Sequence, residues 1–349
     1  MTTRNDACAK TLALLALPLL IASCAPSLGA AGNTEATGST TYTRSNCGID
    51  VTVTEPPHRI YAAYQPAIEV AHALGVSDRL VGTAYLDSEV LPEHSSAQGA
   101  VPYAEALPSR DELLAAQPDF ILSGFNGVFS ESSSSSVGTR ASLAPLGIST
   151  WILSPLCPSA DGLADEAIDP ATVTFDSIYA DLRDLGALWG TPEQADAVVS
   201  DMQDRLASIA ASVEDAARPT VAVVSPRADG TLGIASGTDF VTRIIEAAGG
   251  TNVFADLSSK RNITIGEEEL LARDPDVILT STCCDASYTE QDALPDVARL
   301  RDNPALATLT AVREDQVHPF LFADRAASVR AASATEKVAA ILHPGLLEE

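Results

Sequence analysis

Lysine is almost missing from this sequence. Of 349 residues three are lysine (Lys10, Lys260 and Lys337), and 21 basic side chains face 47 acidic ones, a formal net charge of -26. A chain with that balance does not neutralise phosphates, so nucleic-acid binding is excluded as a class. Acidity at this level supplies a well-solvated exterior. Histidine is scarce too: His58, His72, His94, His318 and His343 are dispersed, with no His-rich loop. Capture of a bare zinc or manganese ion by three or four convergent His and carboxylate ligands is therefore not expected, and no metal ligand or cofactor is assigned. No Gly-x-Ser-x-Gly elbow, phosphate-binding Gly-rich loop or dinucleotide fingerprint occurs, so no catalytic residue is assigned. The serine run 132–136 reads as a surface loop rather than a nucleophile. Beyond residue 24, no apolar stretch approaches the roughly 20 residues of a membrane-spanning helix. An anchored α/β enzyme or a sensor subunit is therefore a lesser alternative for this chain.

The first 23 residues stand apart from the rest. Arg4 and Lys10 precede the apolar run Leu12 to Ile21, too short to span a bilayer, which ends in Leu20-Ile21-Ala22-Ser23-Cys24. The ending resembles the lipobox of bacterial lipoprotein signal peptides. That resemblance implies cleavage before Cys24, diacylation of its thiol, and a body held at the outer face of the cytoplasmic membrane. Loss of Arg4, Lys10 and Asp6 leaves 19 basic against 46 acidic residues, or -27. Residues 24–44 are mostly Gly, Ala, Ser, Thr and Asn without periodicity, a flexible tether.

The strongest internal signal is self-similarity. Ser109 to Ser123, SRDELLAAQPDFILS, aligns without gaps on Gly266 to Thr280, GEEELLARDPDVILT. Each copy reads as two helical turns, a Pro-Asp turn and a short buried strand, with Ser109 and Glu112 able to form a capping box. A weaker correspondence lies upstream. Arg59–Tyr64 is a strand followed by a helix ending at Gly75, and Pro219–Ser225 is a strand followed by a helix from Asp239 to Gly250. Alternating strands and helices favour parallel sheets flanked by helices. The fold expected is α/β: two Rossmann-like lobes with central parallel sheets, 45–172 and 218–349, joined by a helical segment, 173–217.

Within that connector, Thr191-Pro192-Glu193-Gln194 reads as a helix start, with Gln194 reaching back to the cap. Val198, Met202, Leu206, Ile209 and Val213 have the spacing of one buried face. A helix from Thr191 to Ala217 would run about 40 Å. Gly190 breaks the segment, so the bridge is expected to be two helices, the longer one crossing. A cleft between the lobes is the expected ligand site, lined by strand ends and the loops after them.

These features together resemble the ABC-transporter substrate-binding proteins that carry iron–siderophore complexes, haem and cobalamin. The resemblance rests on the lipobox, Pro56-Pro57-His58-Arg59-Ile60-Tyr61, Glu69 with Leu74-Gly75, Asp78-Arg79-Leu80-Val81-Gly82, both Leu-Leu-Ala-x-x-Pro-Asp segments and the connector. It covers almost the whole chain after the signal peptide. It implies a monomeric binding protein delivering a metal chelate or tetrapyrrole to a permease dimer with its ATPase, and a modest hinge motion. It also implies docking through one acidic residue per lobe, which falls on Asp111 and Glu268. Carboxylates at a helix N-terminus are favoured by the dipole in any case.

Candidate ligand contacts on the post-strand loops are Tyr64, Gln65, Tyr85, Phe125 and Asn126 in the first lobe. The second lobe offers Arg227, Lys260, Arg261, Tyr288, Phe322 and Arg325. Aromatics suit a chelate or ring system, and arginines suit carboxylate, phosphate or catecholate oxygens. Apart from Cys8 and Cys24, four cysteines remain: Cys47, Cys157, Cys283 and Cys284. An extracytoplasmic address makes disulfides expected, with three pairings open. The favoured one joins Cys47 to Cys157 and Cys283 to Cys284, the latter on a cleft loop; free thiols or a soft-metal contact there stay open. A subgroup of the family, proposed to bind a deazaflavin-coenzyme precursor, is similar in its Asn46-Cys47-Gly48 opening and in a cysteine near Cys157. That ligand is the alternative expectation.

Overall fold

The computed structural model describes residues 41–131, 136–159 and 168–346. The expected signal peptide, Cys24, most of the expected tether and nearly all of the serine run lie outside the described residues. The chain begins with a hairpin of β1 (Tyr42–Asn46) and β2 (Ile49–Val53), paired antiparallel across Cys47-Gly48, both at positive φ. A two-residue loop of that conformation matches the twist of its strands. The hairpin starts inside 24–44, so the tether reading extends about three residues too far.

The first lobe comprises β3 (Ile60–Ala63), α1 (Gln65–Ala73), β4 (Leu80–Ala84), α2 (Ser95–Gln98), β5 (Tyr103–Ala104), α3 (Arg110–Ala115), β6 (Phe120–Ser123), α4 (Arg140–Leu143) and β7 (Ser149–Ile152). Its sheet is parallel throughout, in the order β5-β4-β3-β6-β7. All four residues of β3 and of β6 are buried, as befits strands covered on both faces.

The connector is a helical hairpin, α5 (Phe175–Trp189) and α6 (Pro192–Ser212). Gly190 ends α5 in the left-handed region at φ 75. A Cβ on Gly186 would come within 2.5 Å of Ala195 Cβ, so glycine there allows the two helices to close. α6 packs on both α1 and the C-terminal helix, and α5 also meets the second lobe, its Phe175 ring 5.1 Å from that of Phe240. At 21 residues α6 spans about 32 Å. Two readings of α6 need correction. Gln194 does not return to the cap; its Nε2 donates to Ala73 O, tying α6 to α1. Val198 and Leu206 are only half-buried, and the covered stripe is Ala195, Val199, Met202 and Ile209, continued by Val213. Coverage from both lobes rotates the buried face away from the simple apolar count.

The second lobe comprises β8 (Thr220–Pro226), β9 (Leu232–Ala235), α7 (Val241–Ala247), β10 (Thr251–Asn252), β11 (Asn262–Ile265), α8 (Glu267–Arg273), β12 (Val277–Thr280), α9 (Leu294–Arg301), α10 (Thr310–Arg313), β13 (Val317–His318) and α11 (Arg330–Leu342). Strands β10, β8, β12 and β13 repeat the parallel arrangement of β4, β3, β6 and β7, and β9 and β11 add an antiparallel edge. Alternation along β8 sends Val221 and Val223 into the core shared with the helices. Ala222 and Val224 enter a second core on the sheet's other face.

The repeat persists in detail. Gln117 and Asp274, equivalent in the gapless alignment, both turn left-handed, at φ 49 and 38, just before the Pro-Asp pair. Asp119 then accepts from the backbone N–H of His58 and Arg59 below β3, and Asp276 from Thr220 N below β8. The Pro-Asp motif thus fastens each repeat strand to the first strand of its own lobe.

Candidate functional site

Three neighbouring strands of the first lobe each deliver an aromatic ring at their C-terminal end. Tyr85 follows β4, Tyr64 follows β3 and Phe125 follows β6, in the order the strands lie in the sheet. The ring centroids are 4.7 Å apart for Tyr64–Tyr85 and 5.2 Å for Tyr64–Phe125. Strands in a sheet lie about 4.8 Å apart, so strand spacing itself sets this row of rings. Tyr64 and Tyr85 sit at φ 71 and 64, a region L-residues rarely occupy. Such strain is held only where the surroundings over-determine it, and it clusters at ligand sites.

Opposite stands a polar wall from the second lobe. The Phe322 ring lies between two guanidinium groups, 4.6 Å from Arg325 and 5.5 Å from Arg261. Arg325 is buried and fully engaged. It donates through Nε to Asp239 Oδ1 at 3.2 Å, through Nη1 to Ser281 Oγ at 2.9 Å and through Nη2 to Asn262 Oδ1 at 2.6 Å. Arg261 Nε reaches Asp239 Oδ2 at 3.3 Å. Burial would raise the Asp239 carboxyl, but the two arginines outweigh it and hold Asp239 below the usual carboxylate range. The cleft between the walls has a volume of about 270 Å³ and is closed at its base by Pro155, Leu156 and Phe240.

The family described as "Periplasmic binding protein" matches residues 60–318, from β3 to β13. The chain belongs to that family. Among solved structures, a periplasmic binding protein from Veillonella parvula is 22% identical, with a TM-score of 0.72 over 87% of this chain and 97% of that one. An ABC-type Fe3+-hydroxamate transport protein from Saccharomonospora viridis is 26% identical, with a TM-score of 0.68 over 86% and 98%. A cobalamin-binding protein from Halobacterium salinarum is 30% identical over 150 residues, 42% of this chain. The match spans 40% of that relative's length. These relatives are binding proteins, and the family is extracytoplasmic. No helix among the described residues is long and apolar enough to cross a membrane.

In this periplasmic binding protein the cleft gathers Tyr64, Tyr85, Phe125, Arg261, Phe322 and Arg325 from the sequence candidates, and with them Cys283 and Cys284. The other five lie elsewhere. Gln65 is buried under the floor, where Oε1 accepts from the N–H of Asp87 and Ser88, so it shapes the loop instead of lining the cleft. Asn126 is buried in the turn after Phe125. Arg227 is exposed on the β8–β9 turn, where its N–H donates to Thr231 O. Lys260 is exposed, and its carbonyl accepts from Ser236 Oγ. Tyr288 accepts from Glu89 N–H across the lobe boundary. A strand-end position says which loop a residue occupies, not which way its side chain turns.

Cys47 and Cys157 are joined with Sγ atoms 2.01 Å apart and Cα atoms 5.3 Å apart. The adjoining sulfurs of Cys283 and Cys284 are also paired. Asp111 and Glu268 are exposed at the starts of α3 and α8. Residues the sequence reading passed over matter here too. Asp87, two residues past Tyr85, is buried at the cleft edge. Burial pushes its carboxyl up to about 7 against the pull of Arg261, Arg330 and Arg325, with Glu69 adding to the rise. Its place on the same post-strand loop as Tyr85 was the available signal. Arg330 of α11 pairs with Glu69 of α1; Glu69 was read only as part of the family resemblance, and Arg330 had no signal.

Proposed function

We propose that this chain is the lipid-anchored binding component of an ABC importer. Its partners would be a permease dimer and ATPase, its ligand a metal chelate or tetrapyrrole, and its docking contacts Asp111 and Glu268. The observation that carries this reading is the aromatic row Tyr85–Tyr64–Phe125 facing Phe322 and its two arginines. Rings on one wall supply apolar contact for a planar or chelated ligand, and Arg261 and Arg325 on the other, which face Asp239 and Asp87, suit anionic groups. The family membership and the Fe3+-hydroxamate and cobalamin relatives support the transport role.

A second reading keeps the importer and changes the cargo to a deazaflavin-coenzyme precursor. The cleft volume of about 270 Å³ favours it, being at the small end for ligand pockets and suited to one flat ring system with an acidic tail. Calorimetric titration of the full-length protein with a ferric hydroxamate, haem, cobalamin and the deazaflavin precursor separates the two. Tight binding of one of the first three supports the chelate reading, and of the last alone the second. Absence of binding to all four sinks both. Tryptophan emission is a poor reporter, because Trp151 and Trp189 are buried in the first-lobe core, away from the cleft.

A further inference from the structure

The loop after β12 presents Cys283 and Cys284 to the cleft, and Asp87 meets them from the other lobe. One donor atom from each of the three residues lies within 4.8 Å of the others, and Cys283 Sγ is 3.7 Å from Asp87 Oδ1. Around a tetrahedral zinc ion, with Zn–S near 2.3 Å and Zn–O near 2.1 Å, the S···O edge is about 3.6 Å. The Cys283–Asp87 spacing is therefore that of two ligands of one ion.

Asp87 is 6% exposed, and among the described residues no N–H or O–H reaches its carboxyl; the Cys283 sulfur lies 3.7 Å from its Oδ1. A buried carboxyl without such donors must be balanced by a nearby cation or be protonated. Its backbone is pinned from both sides, its N–H donating to Gln65 Oε1 and its carbonyl accepting from Asp285 N–H of the second lobe. The ligand is thus held before any ion arrives, as a working metal site requires. Arg261 and Arg325 line the same cleft and offset part of the negative charge that two thiolates and a carboxylate bring together.

We propose that Asp87, Cys283 and Cys284, in the dithiol state, form an inter-lobe site for a thiophilic divalent cation of the zinc or cadmium class. The fourth position faces the cleft, open to water or to an anionic group of the cargo. The histidine count missed this site because its donors are two sulfurs and a carboxylate. Access to it is redox-controlled. An external dithiol gives two electrons and two protons to the Cys283–Cys284 bond and closes to its own disulfide. Metal uptake then releases the thiol protons to solvent.

The test uses the full-length protein without organic ligand, so its failure leaves the importer reading untouched. Protein reduced with dithiothreitol and desalted without air is titrated with Co2+, then with Zn2+. One equivalent of Co2+ with a sulfur-to-cobalt charge-transfer band, displaced by Zn2+, is the expected result. The band should be missing from the unreduced protein and from Cys283→Ser/Cys284→Ser, and present in Cys47→Ser/Cys157→Ser. Asp87→Asn should keep the band and weaken Co2+ binding at least tenfold. No band in the reduced protein, or a band lost from Cys47→Ser/Cys157→Ser while Cys283→Ser/Cys284→Ser keeps it, overturns the proposal. Should either double variant fail to fold, labelling the reduced native protein with N-ethylmaleimide and locating the adducts by peptide mass spectrometry asks the same question. Loss of the band with adducts on Cys283 and Cys284 supports the site, and a band that survives their labelling overturns it.

Discussion

Arg330, at the start of α11 in the second lobe, forks onto the carboxylate of Glu69 on α1 of the first. Both side chains are buried, at 8% and 0% exposure. The same guanidinium donates to Glu89 O and to Asp324 Oδ1, and Lys337 joins Asp324 to Glu290. Nearby, Asp285 N–H and Glu89 N–H make backbone bonds across the same boundary. The two lobes are therefore stitched along one edge of the cleft, where a family expectation had placed only a stiff helix. Removing one partner of a buried pair leaves the other charged and unpaired. Glu69→Ala is expected to lower unfolding stability by about 3–5 kcal/mol, and Glu69→Met with Arg330→Met by much less. Urea denaturation of the three proteins checks this; equal losses would refute it.

Strain at the aromatic row has its own signature. At ordinary positions alanine is more stable than glycine, but at φ 64 the order should invert. Tyr85→Gly is expected to exceed Tyr85→Ala in stability by about 1 kcal/mol. Both variants should bind cargo at least tenfold more weakly than the native protein. Thermal melts and calorimetry supply the two readouts, and an alanine variant more stable than glycine would contradict the strain.

His94 is half-buried beside His72, their rings 5.6 Å apart, and burial holds it below its ordinary value of 6.5. Glu69 and Glu93 pull the other way, while His72 and Arg330 reinforce the drop. The unfolded chain then takes up the proton more readily than the folded one. The contribution of His94 to stability is present above pH 6.5 and is lost as pH falls from there through the lowered folded value. His94→Gln should lose less stability than the native protein between pH 7 and pH 5. Parallel losses would show that His94 is not the group responsible.

The Cys47–Cys157 bond closes a separation of 110 residues and stands beside a second tie between the same segments. Asn46 exchanges two hydrogen bonds with the backbone of Ile152, and Arg140 donates to Asn46 O and Thr150 O. Cys47→Ser/Cys157→Ser is expected to cost about 2–5 kcal/mol. Arg140→Ala should cost a further about 1–3 kcal/mol by leaving those carbonyls without a donor. Chemical denaturation measures both.

The proposed docking residues are exposed, and Asp111 takes no part in the capping box, which Glu112 completes with Ser109. Asp111→Ala with Glu268→Ala should abolish uptake in cells and leave cargo affinity unchanged. Normal uptake by that double variant would sink the assignment.

Much of this architecture was legible in the residue order. The gapless repeat, the four-residue apolar strands and the break at Gly190 are local patterns, and local patterns carry through when burial on both faces leaves a strand no alternative. Tyr64, Tyr85 and Phe125 could be named because strand ends open on a cleft. Gln65, Arg227 and Lys260 were named on the same ground and turned elsewhere, because side-chain direction depends on neighbours distant in sequence.

By itself the sequence determined two α/β lobes, an acidic exterior, a binding role and the positions of the rings along the chain. The tertiary structure alone decided what those residues do to each other. Glu69 and Arg330 are 261 positions apart, and Asp87 and Cys283 are separated by 196. No periodicity connects such pairs, since they meet only when the two lobes, which share one hydrophobic core, pack together. The inter-lobe stitch and the sulfur–carboxylate cluster are products of that docking.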